Sequence, residues 1–301
     1  MAATPEERLE GGSTADDDPR YYAPNYYVGD EDTHAPASSG DSDLGEQVIL
    51  RPQWKRAPLK VRAETHLFWS DNIGADSSDP DDGWFFVGSL GARWKQRLGE
   101  NLFLDAFAYQ DAYLYDSEGL DFESSELGIG LIRNLPDLAD ITVYSRYEFL
   151  YVNADDPGFP LTSADDHLTN RFHRIRLGAY KTLYQTSEHS VTLSTQARFD
   201  LDATPSRLER RQYAARLGYY RRLTNRLQFS AYAKTSFREY RHSSRRDWYS
   251  YGGLDLNYRL GEHAKLYASI LYGRNDSNRP GGLSDYEAWQ AGLGLGLHAK
   301  F

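Results

Sequence analysis

The feature that most constrains this chain is an alternation of apolar and polar residues that recurs from about Lys60 to the C-terminus. In the last such run, Leu293, Leu295 and Leu297 alternate with Gly294 and Gly296. Because successive side chains of a strand point to opposite faces, these runs predict β-strands with one apolar face. About twelve runs can be read along the sequence, so the chain is predicted to be all-β.

The links between the runs alternate in length. Short links are predicted at 98–101, 136–140, 186–190, 224–226 and 261–263, and longer polar links at 71–83, 117–123, 154–170, 202–210, 241–247 and 275–285. Bacterial transmembrane barrels have an even number of antiparallel strands, short periplasmic turns and longer extracellular loops. The alternation therefore predicts a transmembrane antiparallel up-and-down β-barrel of about twelve strands, with both termini on the periplasmic side.

Hydropathy and aromatic positions agree with a chain that crosses a bilayer by strands. The mean hydropathy is −0.69, and the sequence has no apolar run long enough for a membrane-spanning helix. Barrel strands alternate lipid-facing and lumen-facing residues, which lowers the average hydropathy. Aromatic residues at the ends of the apolar runs predict belts at the two membrane interfaces, formed by Trp69, Trp84, Trp94, Trp248, Tyr258 and Trp289.

The negative charge of the chain lies in its first part. Residues 1–50 contain twelve acidic residues against Arg8 and Arg20, which accounts for the whole net charge of −10. The same segment is rich in Ser, Gly, Pro and Asp, a composition that cannot bury much apolar surface. We therefore predict an acidic, largely disordered periplasmic segment at residues 1–58, followed by the transmembrane barrel at residues 59–301.

The polar positions of the strands predict a charged barrel interior. The residues expected to line the lumen are Arg62, Glu64, Arg93, Asp105, Arg146, Glu148, Arg174, Arg176, Arg198, Asp200, Arg216, Lys234, Arg238, Asp255 and Arg259. Twelve strands fall between small barrels filled by side chains and large porins with aqueous channels. Because Arg outnumbers the acids, the lumen would prefer anions if it conducts; alternatively, the charges only pair with one another.

The end of the chain adds a resemblance. Leu293, Leu295 and Leu297 alternate up to a terminal Phe301, which resembles the C-terminal signal of bacterial outer-membrane β-barrels. This porin-like resemblance implies that these four residues are recognised by the barrel-assembly machinery. It also implies a chain in the bacterial outer membrane, in contact with lipid and lipopolysaccharide. The stretch Trp69-Ser70-Asp71-Asn72 resembles the opening of some porin-like barrels.

Candidate catalytic and metal-binding residues do not form a recognisable site. Some twelve-stranded outer-membrane barrels are lipid hydrolases, whose nucleophile and base must face lipid. His242, Ser243 and Ser244 lie beside several arginines, but strand parity points His242 and Ser244 inward, and no outward Ser accompanies His173. The aspartates of the first long link lack the spacing of a calcium loop; they are Asp71, Asp76, Asp79, Asp81 and Asp82. We therefore predict no enzyme activity, no metal, no cofactor and no nucleic-acid partner.

Two functions stay open from the sequence. The first is a narrow pore or export channel, favoured by inward glycines and by the long 154–170 link, which could fold inward as a constriction. The second is a structural or assembly barrel whose acidic residues 1–50 recruit a periplasmic partner. A basic group on neighbouring loops is expected to contact lipopolysaccharide phosphates or only solvent; it comprises Arg207, Arg210, Arg211, Arg241, Arg245 and Arg246.

Overall fold

The computed structural model describes residues 58–75, 80–116, 120–154, 168–279 and 284–301. Twelve antiparallel strands form one closed barrel in which neighbours in sequence are neighbours in the sheet. The strands are β1 (Leu59–Ser70), β2 (Gly83–Arg97), β3 (Leu102–Tyr115), β4 (Phe122–Leu135), β5 (Ile141–Ala154), β6 (Leu168–Gln185), β7 (His189–Thr204), β8 (Arg210–Arg222), β9 (Leu227–Tyr240), β10 (Arg246–Arg259), β11 (Ala264–Ser277) and β12 (Tyr286–Lys300). The predicted fold class is confirmed.

Short and long connections alternate around most of the barrel, but two links predicted to be long, at 202–210 and 241–247, shorten to residues 205–209 and 241–245 and match the short β4–β5 connection, residues 136–140. The short ones join β2 to β3, β4 to β5, β6 to β7, β8 to β9 and β10 to β11. The β6–β7 turn is shorter than expected because β7 already begins at His189. There the hydroxyl of Thr186 accepts bonds from the backbone N–H groups of Glu188 and His189, and Thr224 caps the β8–β9 turn in the same way. A threonine at the start of a turn thus fixes two of the short connections.

The barrel closes between its first and last strands. β1 and β12 pair antiparallel, with Leu67 opposite Leu293. At the far end of this seam, Leu59 and Phe301 exchange backbone N–H···O bonds of 2.9 and 3.2 Å. Phe301, Leu293, Leu295 and Leu297 all lie exposed on the outer face. Their recognition by the barrel-assembly machinery stays a prediction.

The outer surface of the barrel is apolar, and its inner surface is polar and aromatic. On β8, the side chain of Leu217 is 51 % exposed, whereas the adjacent Arg216 is only 7 % exposed. The same alternation exposes Leu90 on β2 and Leu293 on β12. A soluble protein buries its apolar side chains and wets its charges, so this arrangement fits a barrel surrounded by lipid. Separately, no helix within the described ranges is long and apolar enough to cross a membrane.

Aromatic side chains lie at both ends of the apolar surface. At the end with the long connections, Trp84 pairs in register with Trp69, and the Tyr272 and Trp289 rings lie 4.7 Å apart between centroids. Trp248 lies at the same end, against Phe237. Trp94 and Tyr258 lie near the opposite end, beside the short turns, and both are exposed. The residues expected to form aromatic belts therefore fall at two levels of the outer surface.

Introducing a charged residue on the outer face tests whether that face contacts lipid. Leu217 lies in the middle of β8, and we expect Leu217→Arg to destabilise the barrel in a bilayer by about 2–4 kcal/mol. Leu138, 60 % exposed in the short β4–β5 turn, provides the matched control, and Leu138→Arg should leave stability nearly unchanged. Urea unfolding in lipid vesicles, followed by tryptophan fluorescence, measures both. Equal effects of the two substitutions would contradict a lipid-facing outer surface.

Candidate functional site: the charged barrel interior

The residues predicted to line the lumen lie on the inward face of the strands. Eleven of them are nearly inaccessible: Arg93, Asp105, Arg146, Glu148, Arg174, Arg176, Arg198, Asp200, Arg216, Lys234 and Arg238. The other four are partly buried: Arg62, Glu64, Asp255 and Arg259. Each alternates along its strand with more exposed neighbours, so in a closed barrel these side chains point inward.

One ion-pair centre surrounds Asp105 on β3. Arg93 on β2 donates two parallel bonds to its carboxylate, at 2.7 and 2.8 Å, and Arg146 on β5 donates a third at 2.9 Å. Arg146 reaches across β4 because Gly130 leaves room; a Cβ there would lie 2.6 Å from Cγ of Arg146. The bidentate geometry is the strongest that Arg and a carboxylate form.

A second ion-pair centre surrounds Glu148 on β5. Arg174 and Arg176 of β6 each place Nε 3.0 Å from its carboxylate, and Arg174 also binds Glu126 on β4 at 2.6 Å. Nη1 of Arg146 lies 4.0 Å away, which links this centre to the one around Asp105. Shared carboxylates thus join β2 through β6 into one buried network.

The wall formed by β8 and β9 holds its charges differently. Inward positions of these two fully described strands carry Arg210, Arg216, Lys234 and Arg238 and no acidic residue. The guanidinium of Arg216 lies 4.3 Å from the centroid of the Tyr232 ring, and that of Arg238 lies 4.4 Å from the Tyr249 ring. Lys234 similarly approaches Tyr251 at 5.3 Å. The face of a tyrosine ring attracts a cation electrostatically.

Buried charge in the described part of the chain is strongly positive. Eleven basic side chains are buried: Arg93, Lys95, Arg146, Arg174, Arg176, Arg198, Arg210, Arg216, Lys234, Arg238 and Arg245. Five acidic side chains are buried with them: Asp105, Glu148, Asp200, Glu209 and Asp247. The difference is six positive charges, and part of it is concentrated on β8 and β9.

Inward glycines seat aromatic rings, so the expectation that they widen the lumen is wrong at these positions. A Cβ added at Gly91 would lie 2.3 Å from the Tyr109 ring, and one at Gly178 would lie 2.2 Å from the Tyr144 ring. The ring of each tyrosine lies over the glycine of a neighbouring strand. These glycines pack the wall because no other residue leaves space for a ring this close to the backbone.

Accessible space remains beside β10, β11 and β1. Glu64, Asp255, Tyr267 and Ser269 face inward yet keep partial exposure. They form polar contacts with one another: Ser269 donates to Asp255 at 2.7 Å, and Tyr267 donates to Glu64 at 3.3 Å. Arg62 on β1 and Arg259 on β10 also keep partial exposure, whereas Arg93, Asp105 and Arg146 are nearly inaccessible.

An apolar cluster fills part of the interior at the end with the long connections. The rings of Phe68 and Phe85 stack at 5.3 Å, and those of Tyr113 and Phe122 stack at 4.2 Å. Ile73, from the connection after β1, is buried in the same cluster. Sequence reasoning missed this layer because inward apolar residues at strand ends cannot be told from outward ones by hydropathy alone. The odd or even position of each residue along its strand was the signal that could have identified this layer.

The candidate catalytic and metal-binding residues have structural contacts. His173 lies on the outer face with Nδ1 2.6 Å from the hydroxyl of Tyr147, and Nε2 of His242 lies 3.0 Å from Glu209. The carboxylate of Asp71 accepts a bond from the backbone N–H of Trp289, at the start of β12. No group of metal-ligating side chains occurs in the ranges that the structure covers, and residues 76–79 lie outside them. Absence of enzyme activity stays a prediction.

Comparison with solved structures identifies the fold. An outer membrane channel from Pseudomonas putida F1 superimposes with a TM-score of 0.55 at 12 % identity, covering 81 % of this chain and 96 % of the channel. The KdgM porin in complex with disordered oligogalacturonate gives a TM-score of 0.42 at 9 % identity over 78 % of this chain and 98 % of the porin. The translocator domain of the autotransporter NalP from Neisseria meningitidis gives 0.44 at 14 % identity over 80 % and 88 %.

The chain folds as an outer-membrane β-barrel. No protein-family model and no curated protein matches its sequence. The predicted acidic segment, except for Pro58, and the inner part of the 154–170 link, residues 155–167, lie outside the described residues of this barrel. A periplasmic partner of residues 1–50 and a constriction formed by the long link therefore stay predictions.

Removing one carboxylate tests whether the ion-pair network stabilises the barrel. Asp105→Asn leaves Arg93 and Arg146 buried without their shared anion, and we expect a loss of about 3–5 kcal/mol in the free energy of unfolding. The control is Asp276→Asn, which removes the anion of the exposed Arg274–Asp276 pair and should change nothing measurable. Urea unfolding in vesicles measures both variants. A loss no larger for Asp105→Asn than for Asp276→Asn would show that the network contributes no stability.

Proposed function

We propose that this barrel is a narrow, anion-preferring pore or export channel in the bacterial outer membrane, with both termini in the periplasm. The observation that carries the proposal is the excess of six buried positive charges. A cation-rich wall enclosed by a low-dielectric membrane raises the local concentration of anions. Rings of Arg and Lys side chains select anions in membrane pores by the same effect.

The arrangement of the interior supports a path on one side of the barrel. Accessible polar side chains follow β10, β11 and β1, and Lys234 of β9 lies opposite Tyr251 of β10 in the sheet. The basic wall of β8 and β9 therefore borders the side that keeps accessible space. An anion on this path would come close to the basic side chains of that wall. The fold shared with an outer membrane channel agrees with this proposal.

A structural or assembly barrel is the second candidate. Dense packing of β2 through β9, with aromatic rings over glycines and a continuous ion-pair network, favours this candidate. In this case the interior would hold the barrel rigid, and the acidic residues 1–50 would recruit the periplasmic partner. The two candidates differ in whether a folded barrel conducts ions.

Planar-bilayer recording decides between them. The purified full chain should open small channels, and in a KCl gradient its reversal potential should show preference for chloride. Replacing Arg216 and Lys234 together by Gln should lower the chloride-to-potassium permeability ratio several-fold, because two cations leave the wall. Arg133→Gln, an exposed position near the short turns, is the control and should keep the wild-type ratio. Folded protein without any channel activity would exclude the pore and favour the structural role.

A further inference from the structure

A basic pocket lies at the rim of the barrel, at the end that carries the long connections. Its volume is about 580 Å³, and four arginines line it beside a single acid: Arg211, Arg241, Arg245, Arg246 and Glu239. The pocket lies between the first residues of β8 and β10 and the last residues of β9. Tyr240 and Arg245, which are buried, form its inner side, and Arg211 and Arg246, which are exposed, form its outer side.

The strand register fixes the level of the pocket relative to the aromatic residues on the outer face. Arg211, Glu239 and Arg246 lie directly opposite one another on β8, β9 and β10. The next residues on the same face form a second row toward the membrane centre: Tyr213, Phe237 and Trp248. Tyr213 and Trp248 are exposed on the lipid-facing side. Because aromatic rows lie at the level of lipid headgroups, the basic row falls at the outer edge of that level.

Hydrogen bonds hold the pocket in place. Asn278, after β11, accepts a bond from the backbone N–H of Arg246 at 2.7 Å and donates one to the Ser244 carbonyl at 2.8 Å. The side chain of Arg241 is fixed by Glu209 at 3.2 Å. The β9–β10 connection is thus fastened to a neighbouring loop, so the arginines need little ordering when a ligand binds.

The acidic groups around the pocket do not balance its charge. Arg246 lies 3.3 Å from Glu239, Arg245 lies 2.6 Å from Asp247, and Arg241 shares Glu209 with His242. Arg246 and Arg211 flank the single carboxylate of Glu239 in the sheet, and Arg246 is 62 % exposed. An anion that enters between these two arginines would compete with Glu239 for them.

We propose that this pocket binds the phosphate group of an outer-leaflet lipid. The planar guanidinium of Arg recognises phosphate by paired hydrogen bonds. Position supports a lipid as the source of the phosphate: Arg211 and Arg246 are exposed on the outer face, immediately beyond the aromatic row. The acyl chains of such a lipid would lie along the exposed Leu and aromatic surface of β8 to β10 below the pocket.

Native mass spectrometry of the full chain in detergent tests the proposal, with bisphosphorylated lipid A as the probe. Replacing Arg211 and Arg246 together by Gln should weaken lipid A binding at least roughly tenfold, because charge-assisted hydrogen bonds are lost. The control, Arg133→Gln with Arg221→Gln, removes two exposed arginines at the opposite end and should bind as the wild type does. Unchanged affinity in the first variant overturns the proposal.

Two further measurements distinguish a loss of lipid binding from a folding defect, and binding of a lipid phosphate from binding of free phosphate. Glu239→Gln removes the competing carboxylate and should strengthen lipid A binding; unchanged or weaker binding counts against the pocket. Inorganic phosphate added at the concentration of lipid A should not displace the lipid. Displacement would show a site for free phosphate and would overturn its assignment to a lipid.

Discussion

Backbone hydrogen bonding across the β1–β12 seam is the constraint on which the rest of the structure depends. Hydrocarbon supplies no partner for an N–H or C=O group, so a sheet that spans a membrane must close on itself. Closure gives every strand an outside and an inside, and the alternation of side chains then assigns each residue to one of them. Leu217 and Arg216 are neighbours in sequence but lie on opposite sides of the wall. The charged interior follows from the apolar exterior.

Charged side chains buried inside the barrel need stabilising partners, and the barrel provides two kinds of partner. On β2 to β6, carboxylates are shared between arginines, with Asp105 and Glu148 as the centres. On β8 and β9, cations lie over tyrosine rings. The proposed preference for anions relies on this second group of cations.

Period-two alternation and link lengths were sufficient to predict the twelve strands and their up-and-down order. The packing of the interior could not be predicted because it depends on diagonal neighbours across strands. From the sequence alone, Gly178 is expected to leave open space in the lumen. The structure instead places the Tyr144 ring over it. The basic loop residues formed one group in the sequence, but the structure divides them: Arg210 and Arg245 are buried, whereas Arg211 and Arg246 are exposed on the outer face.

Nitroxide accessibility along one strand tests the central claim most directly, since the chain contains no cysteine and single-cysteine labelling needs no background correction. Labels placed one at a time at residues 213–220 of β8, in lipid vesicles, would be relaxed by oxygen or by a water-soluble nickel complex. Oxygen contact should peak at the odd positions, which include Tyr213 and Leu217, and fall at the even ones. Equal contact at all positions, or oxygen peaks at Arg216 and Tyr220, would contradict a lipid-facing apolar surface enclosing a charged interior.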